Sequence, residues 1–327
     1  MRDRFSPSHR VIKRLRMALC FLLLSLAAVH VFSQTPPNVN NPGPVTPSKF
    51  LLDEQETQAW AWLAKRQKES GPFKKMAEGR YFIKANTDLP KSEKPFVCGD
   101  IWTLSESRNG DFIVDGMFTE SNGNSNGDSF SYQIKLNPQM RPTAFKRFIG
   151  GWVSGCVWTK SKFLCQETDR RGRVQGAAGA PIDDSTKFLP HFFSPFLFNG
   201  LIPNSRNQSG ETTYLTLLTL VYFDEPGYSI DLFPEYGALS LIRRGTYSIL
   251  DAQMDASEFQ LDVREVPNAS NTSPNAPVIP PDSEHKDQYR PLWKLLISSN
   301  GILLSATDAN THEEFIHLVQ FKKLADF

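Results

Sequence analysis

Neither sign of charge is in excess in this chain: 36 Lys and Arg stand against 35 Asp and Glu over 327 residues, a formal net charge of +1. Without a basic stripe there is no electrostatic footprint for nucleic acid or an anionic membrane surface. Cysteine is scarce, with four residues, and no Cys-x-x-Cys spacing occurs, so a thiol redox motif is absent. Histidine is scarce too. His312-Glu313-Glu314 and His317 stand five apart and miss the His-Glu-x-x-His spacing that sets two imidazoles on one helical face. Nor is there a long hydrophobic run: the apolar stretch from Met17 to Ser33 is shorter than the roughly 20 residues of a membrane-spanning helix.

That short run is informative for another reason. It follows a basic start (Arg2, Arg4, Arg10, Lys13, Arg14, Arg16) and ends at Val31-Phe32-Ser33, with small residues at the −3 and −1 positions before Gln34. This is the order of a secretory signal peptide, with cleavage expected near Ser33 and a periplasmic or extracellular destination. The segment holds six basic residues and one acidic, so its removal leaves 30 Lys and Arg against 34 Asp and Glu, and the formal +1 becomes −4. No stable membrane span is expected after cleavage. Cys98, Cys156 and Cys165 remain in a compartment where a disulfide can persist.

Residues 34–48 are rich in Pro and Asn and read as a linker. Residues 49–70 carry apolar positions at helical spacing, with Ser48 as N-cap, acidic residues near the first turns, and Gly71-Pro72 as a stop. From Arg80 onward short β-branched and aromatic runs alternate with turn-forming residues. Expected strands include Arg80–Asn86, Ile101–Glu106, Asp111–Phe118, Ser129–Leu136 and Ala144–Trp152, with Gly150-Gly151 as a bulge or bend. Thr212–Phe223 is the most strand-like run. Tyr228–Phe233, Ala238–Tyr247, Gln253–Val263, Leu292–Ser298, Ile302–Thr307 and Phe315–Lys323 follow. Pro267 to Asp287 is polar and Pro/Asn-rich and reads as a mobile loop.

Cys156 to Cys165 forms the best hairpin. A two-residue turn at Lys160-Ser161 sets Trp158 opposite Phe163 and Cys156 opposite Cys165, close to disulfide reach, although Lys-Ser is not a favoured turn and a longer loop is an alternative. A Cys156–Cys165 bridge is the favoured pairing, with Cys98 free or an alternative partner. Residues 188–203 differ from their surroundings. Five Phe fall between 188 and 198, and Pro190 and Pro195 exclude a long helix or a central strand. Such a segment must be buried by the sheet or cover a cavity.

The fold class that follows is mainly antiparallel β (α+β): a large curled sheet or half-barrel of about ten strands with one N-terminal helix, able to cover its concave face. Residues 49–327 form a single β-rich domain in this reading. The order of elements in residues 110–323, with Pro203 after the Phe-rich segment and with Gly245, Trp293 and Gly301 in the stretches RRGTYSILDAQMDASEFQLDV and PLWKLLISSNGILLSATDA, resembles secreted β-rich bacterial envelope proteins of unknown function. Those are similar in general shape to lipoprotein-carrier half-barrels. The resemblance carries no catalytic residue.

Chemical motifs are thin. Gly150 to Gly155 lacks the G-x-S-x-G elbow. Gly172 to Gly179 is Gly-rich, lacks the Lys-Ser/Thr of a phosphate loop, and reads as a small-residue loop. The carboxylate pairs Asp183-Asp184, Asp224-Glu225 and Glu313-Glu314 read as loop or strand-end charges. No catalytic residue, metal ligand or cofactor is assigned. The functional expectation is an exported, non-enzymatic envelope protein that binds a lipid or other apolar small molecule, with Phe192, Phe193, Phe196, Phe198 and Leu201 lining or lidding the site. The alternative is a structural protein that meets an envelope partner and holds no ligand. A secreted hydrolase is a distant third.

Overall fold

The computed structural model describes residues 54–84, 97–121, 129–188, 195–202, 211–223, 229–250, 252–264 and 288–325. The stretches read from the sequence as signal (1–33), linker (34–48) and mobile loop (267–287), and also Phe192 and Phe193, lie outside them. Among the described residues no helix is long and apolar enough to cross a membrane.

A single sheet of fifteen strands organises the molecule. The first half is an antiparallel meander: β1 (Lys74–Lys84), β2 (Val97–Glu106), β3 (Phe112–Ser121), β4 (Ser129–Leu136), β5 (Pro142–Ile149), β6 (Trp152–Trp158), β7 (Lys162–Thr168) and β8 (Val174–Pro181). After the short β9 (Thr186–Phe188) and a 3₁₀ segment (Pro195–Leu201), the second half runs through β10 (Thr212–Phe223), β11 (Ser229–Ile249), β12 (Ala252–Arg264), β13 (Arg290–Ser298), β14 (Leu303–Asp308) and β15 (Glu314–Lys323). β1 pairs with β15 and joins the halves, so β8 and β9 end up as the two edges. The sheet is therefore curled and unclosed, with more strands than the expected ten or so.

Strand alternation decides which side chains go inside. On β2, Asp100, Trp102 and Leu104 are buried while Ile101 is 49% exposed; on β3, Val114 and Phe118 are buried while Met117 is 47% exposed. The inward positions of both halves form one continuous core. The Phe-rich segment enters that core from the concave side. Phe196 meets Trp102 edge-on with ring centroids 4.8 Å apart, and Phe198 meets Trp293 at 5.3 Å.

The helix, α1 (Glu54–Ala64), ends at Ala64, short of the 70 expected, and lies on the other side of the sheet. Ala59 and Leu63 pack on Leu164 and Val157, which alternate with the inward-facing Phe163, Cys165 and Cys156. So α1 covers the convex face, not the concave one, because Phe196 and its neighbours already fill the interior. Lys146 fastens it there. Its ammonium donates to the carbonyls of Trp62 and Lys65, both at 2.5 Å, and sits 4.1 Å from the Trp62 ring centroid. These carbonyls lie at the helix C-terminus, where intrahelical donors run out and a cation is favoured. Burial lowers the Lys146 pKa to about 8.

Two local expectations are corrected. Gly150-Gly151 is a hairpin turn between β5 and β6, with φ of +54° and +88°, so the strand expected over Ala144–Trp152 is divided. Both positive angles suit glycine and give the twist a tight hairpin requires. Gly172 to Gly179 is not merely a loop: most of it belongs to edge strand β8. Its small residues let that edge lie against the second half of the sheet. A Cβ on Gly176 would sit 3.0 Å from the Ile230 backbone nitrogen of β11.

The Cys156 hairpin forms in the expected register: Cys156 faces Cys165, Val157 faces Leu164 and Trp158 faces Phe163. The disulfide joins Cys156 and Cys165, with Cα atoms 4.1 Å apart and both residues fully buried. The Thr159 hydroxyl replaces favoured turn chemistry at Lys160-Ser161 by accepting from the Lys162 amide at 2.9 Å.

Candidate functional site

Three of the five proposed ligand-contacting residues are described, and all three belong to the core. Phe196 is 1%, Phe198 4% and Leu201 0% exposed. The rings of Tyr81, Trp102 and Phe196 meet one another inside the curled sheet. The 195–201 segment is held by Asn199, whose amide donates to the Met140 carbonyl at 2.5 Å, and by Arg141, whose guanidinium donates to the Asn199 carbonyl at 2.8 Å.

Beside this segment lies a cleft of about 150 Å³. It is lined by Leu197, Gly200 and Ile202 of that segment, by Trp158, by Thr186, Lys187 and Phe188 of β9, and by Asn137, Arg141 and Pro142. Trp158 is fixed by Phe163, at 4.7 Å, and by Phe188, packed edge-on at 5.9 Å. Burial lowers the Arg141 pKa to about 10. Lys187 is also lowered, first by burial and then by the positive charge of Arg141, with smaller opposing contributions from Asp184 and Asp183. Its ammonium donates to the Asp184 carbonyl at 2.7 Å. The aromatic character of this region is legible in the sequence but its two cations are not: Arg141 stands 47 residues before the Phe-rich run and Lys187 one, and both line the cleft only in the folded chain.

A second polar feature sits deeper. Asp100 is fully buried, and the Tyr132 hydroxyl lies 2.8 Å from both of its carboxylate oxygens, donating its one hydrogen. Burial raises Asp100 to about 7, against the pull of that hydrogen bond. The Tyr81 hydroxyl donates to the Leu303 carbonyl at 2.8 Å, and the Trp102 indole nitrogen finds no acceptor among the described residues. The absence of a Cβ at Gly116 admits Tyr132, since a methyl there would fall 2.0 Å from the phenol ring. The signal in the sequence was Asp100 and Trp102 two apart on a strand, hence on one face.

Toward the β5–β6 turn, Arg147 donates to the Ser154 hydroxyl at 3.2 Å, and Glu167 is raised to about 7 by burial while Arg147 opposes the shift. His312 adopts φ of +59° in the turn before β15, and His317 stacks on Phe82 with centroids 4.9 Å apart. No group of metal-ligating side chains occurs among the described residues, and His191 and His285 lie outside them.

No family model matches the chain, and no curated protein matches it. Among solved structures it is similar to a protein described as a beta-barrel-like protein of domain of unknown function DUF1849 from Brucella abortus. That likeness has 9% sequence identity and a TM-score of 0.40, covering 76% of this chain and 98% of the other.

Proposed function

We propose that this is an exported, non-enzymatic envelope protein that binds a small ligand with an apolar body in the cleft beside the 195–202 segment. The observation that carries the reading is the cleft lining itself: Trp158, Phe188, Leu197 and Ile202 together border a recess of about 150 Å³. A cavity of that size accepts a single ring or a short chain. It is smaller than the roughly 300–1,000 Å³ of a drug-sized site, so a whole lipid would enter by one end. The basic and apolar order of residues 1–33 supports export, and the buried Cys156–Cys165 bridge is compatible with an oxidising compartment.

The test is to purify the protein and look for retained lipid by native mass spectrometry and extraction, then to titrate an apolar fluorophore. Binding that is lost in Ile202→Trp, where the larger ring fills the recess, supports the cleft. A purely structural role is favoured by a different observation, the solid packing of Tyr81, Trp102 and Phe196 where a carrier would have a lumen. No retained ligand, together with no fluorophore binding to the folded protein, would decide for that role.

A further inference from the structure

The even charge balance of the whole chain hides a local excess at one end of the sheet. Two hairpin turns meet there, Gly150-Gly151 between β5 and β6 and Asp169 to Arg173 between β7 and β8. The second turn supplies Arg170, Arg171 and Arg173, and Arg66 joins them from the segment after α1; all four are exposed. Glycines let the arginine stems lie across the turns. Arg170 Cγ is 3.0 Å from where a Cβ on Gly151 would sit and its Nη2 is 3.5 Å from that of Gly150, while Arg66 Cδ is 3.3 Å from that of Gly172. Arg66 also donates to the Gly151 carbonyl at 2.6 Å. Two guanidinium groups are thus held against one two-residue turn. The single carboxylate of these turns, Asp169, is already committed. Its Oδ2 takes the Arg173 guanidinium at 2.6 and 2.7 Å, and its Oδ1 takes the amides of Arg171 and Arg173 at 2.8 and 3.0 Å. Among the described residues no ion pair reaches Arg66, Arg170 or Arg171. Like charges gathered on one rim raise the local potential and attract anions.

An apolar element stands beside the charges. Val174, directly after Arg173, is 57% exposed, more than any other large apolar side chain among the described residues, and the half-buried Trp152 directly follows Gly151. Guanidinium groups bind phosphate in a bidentate fork, and an aliphatic side chain with an indole suits the boundary between headgroup and acyl chain. From this arrangement we infer that the rim formed by residues 149–152 and 169–174 docks on an anionic phospholipid surface. Arg66, Arg170 and Arg171 meet headgroup phosphates there, and Val174 enters the headgroup layer. The choice of a bilayer over another polyanion rests on the reading of the protein as exported; the patch itself does not. Docking of this kind needs neither a membrane span nor a net positive charge, because the field falls off within a Debye length and only the rim lies inside it. The cleft, with the 137–141 turn, lies at the opposite end of these strands and is turned away from the bilayer.

The experiment is vesicle co-sedimentation of the chain from Gln34 onward, so that the basic and apolar residues 1–33 contribute nothing. Vesicles of phosphatidylcholine alone are compared with vesicles containing one third phosphatidylglycerol. Binding is expected only to the anionic vesicles and is expected to weaken as salt rises. Each arginine near an anionic surface strengthens partitioning about fivefold, so Arg170→Gln with Arg171→Gln is expected to weaken it about twentyfold. The same pair changed to Lys retains most of the binding. Lys74→Gln with Lys75→Gln, an equal loss of charge on exposed residues at the other end of the sheet, leaves it unchanged. Val174→Ser weakens binding without altering its salt dependence. Equal binding to both kinds of vesicle, or no effect of the arginine pair in a variant with an unchanged melting temperature, overturns the inference. An equal effect of the lysine pair overturns the patch in favour of overall charge. Tighter binding to duplex DNA than to the anionic vesicles at the same salt overturns the bilayer as the partner. None of these outcomes bears on the cleft, which the apolar fluorophore reads separately, so the two functions stand or fall apart.

Discussion

Asp100 is the side chain whose environment is least expected from its type. Its carboxyl group is fully buried and accepts from the Tyr132 hydroxyl, and its pKa is raised to about 7. The unfolded chain releases this proton near the ordinary carboxylate value of about 4. Between roughly pH 4 and pH 7 the folded protein therefore holds more protons, and stability present at acid pH is lost as pH rises through 7. Three pH units correspond to at most about 4 kcal/mol, an upper bound because solvent and relaxation soften the shift. Glu167 is raised in the same direction, so the two groups act together. Asp100→Asn keeps the size and an acceptor for Tyr132. It is expected to raise the melting temperature at pH 8, to change it little at pH 5, and to remove about half of the acid-to-alkaline slope, with Glu167→Gln removing the rest. An unchanged slope in Asp100→Asn, measured by thermal unfolding from pH 4.5 to 8.5, would show that the carboxyl ionises normally. Residue-scale features of this kind are poorly legible in advance. Asp100 in a strand reads as an outward charge until the register of β2 places it beside Trp102, and Gly116 reads as a weak strand residue until Tyr132 is seen lying over it.

Elements were easier to read than their partners. The Cys156–Cys165 hairpin has the register expected from its residues, because aromatic and cysteine pairs two apart leave few ways to align. The Phe-rich segment behaves as its prolines demand and forms one short 3₁₀ stretch in the core. β8 was not legible. Its alternation is between Gly and Ala, which carries almost no hydrophobic period, and its strand character comes from pairing with β7. The helix was legible but its side was not: an amphipathic stripe says that a face is buried without saying against which face of the sheet. What fixes it is Lys146, on β5, far from α1 in sequence. Lys146→Met removes the donor for the Trp62 and Lys65 carbonyls and the contact with the Trp62 ring, and buried acceptors left unmet cost roughly 1–3 kcal/mol. The expected outcome is faster proteolysis and hydrogen exchange of residues 54–69 with β10–β13 unaffected. Because burial lowers the Lys146 pKa to about 8, the folded protein sheds this proton first, and the wild-type penalty for holding the charge shrinks as pH rises from about 8 to 10.5. That pH effect is expected to vanish in the variant.

At the scale of the whole molecule the sheet nearly meets itself. β8 and β9, the two edges, are consecutive in the chain, joined by residues 182–185, and the turn is tied to both sides: the Ile182 amide donates to the Ser161 carbonyl and the Thr216 amide to the Ser185 carbonyl. At this end the edges are stapled by covalent connection. Beyond the three residues of β9, β8 lies against β11, with Gly176 against Ile230. An edge strand with unpaired backbone groups is a site for opening or for unwanted pairing, and here the lack of a side chain on Gly176 is what allows β8 to be covered. Gly176→Val puts branched carbons where the Ile230 backbone and side chain lie, 3.0 Å from the added Cβ. β8 must then move away from β11. Expected consequences are increased hydrogen exchange at 174–181 and 229–232 and a loss of stability of about 1–3 kcal/mol, as for other overpacked sites. Protection of α1 and of the disulfide hairpin is expected to remain, since neither crosses that seam. The cleft, which lies at the stapled end on Thr186 and Phe188, should bind as before. If Gly176→Val abolished binding there without unfolding the protein, the two ends of the seam would have to be mechanically coupled, and the curled sheet would act as one spring instead of two independently held edges.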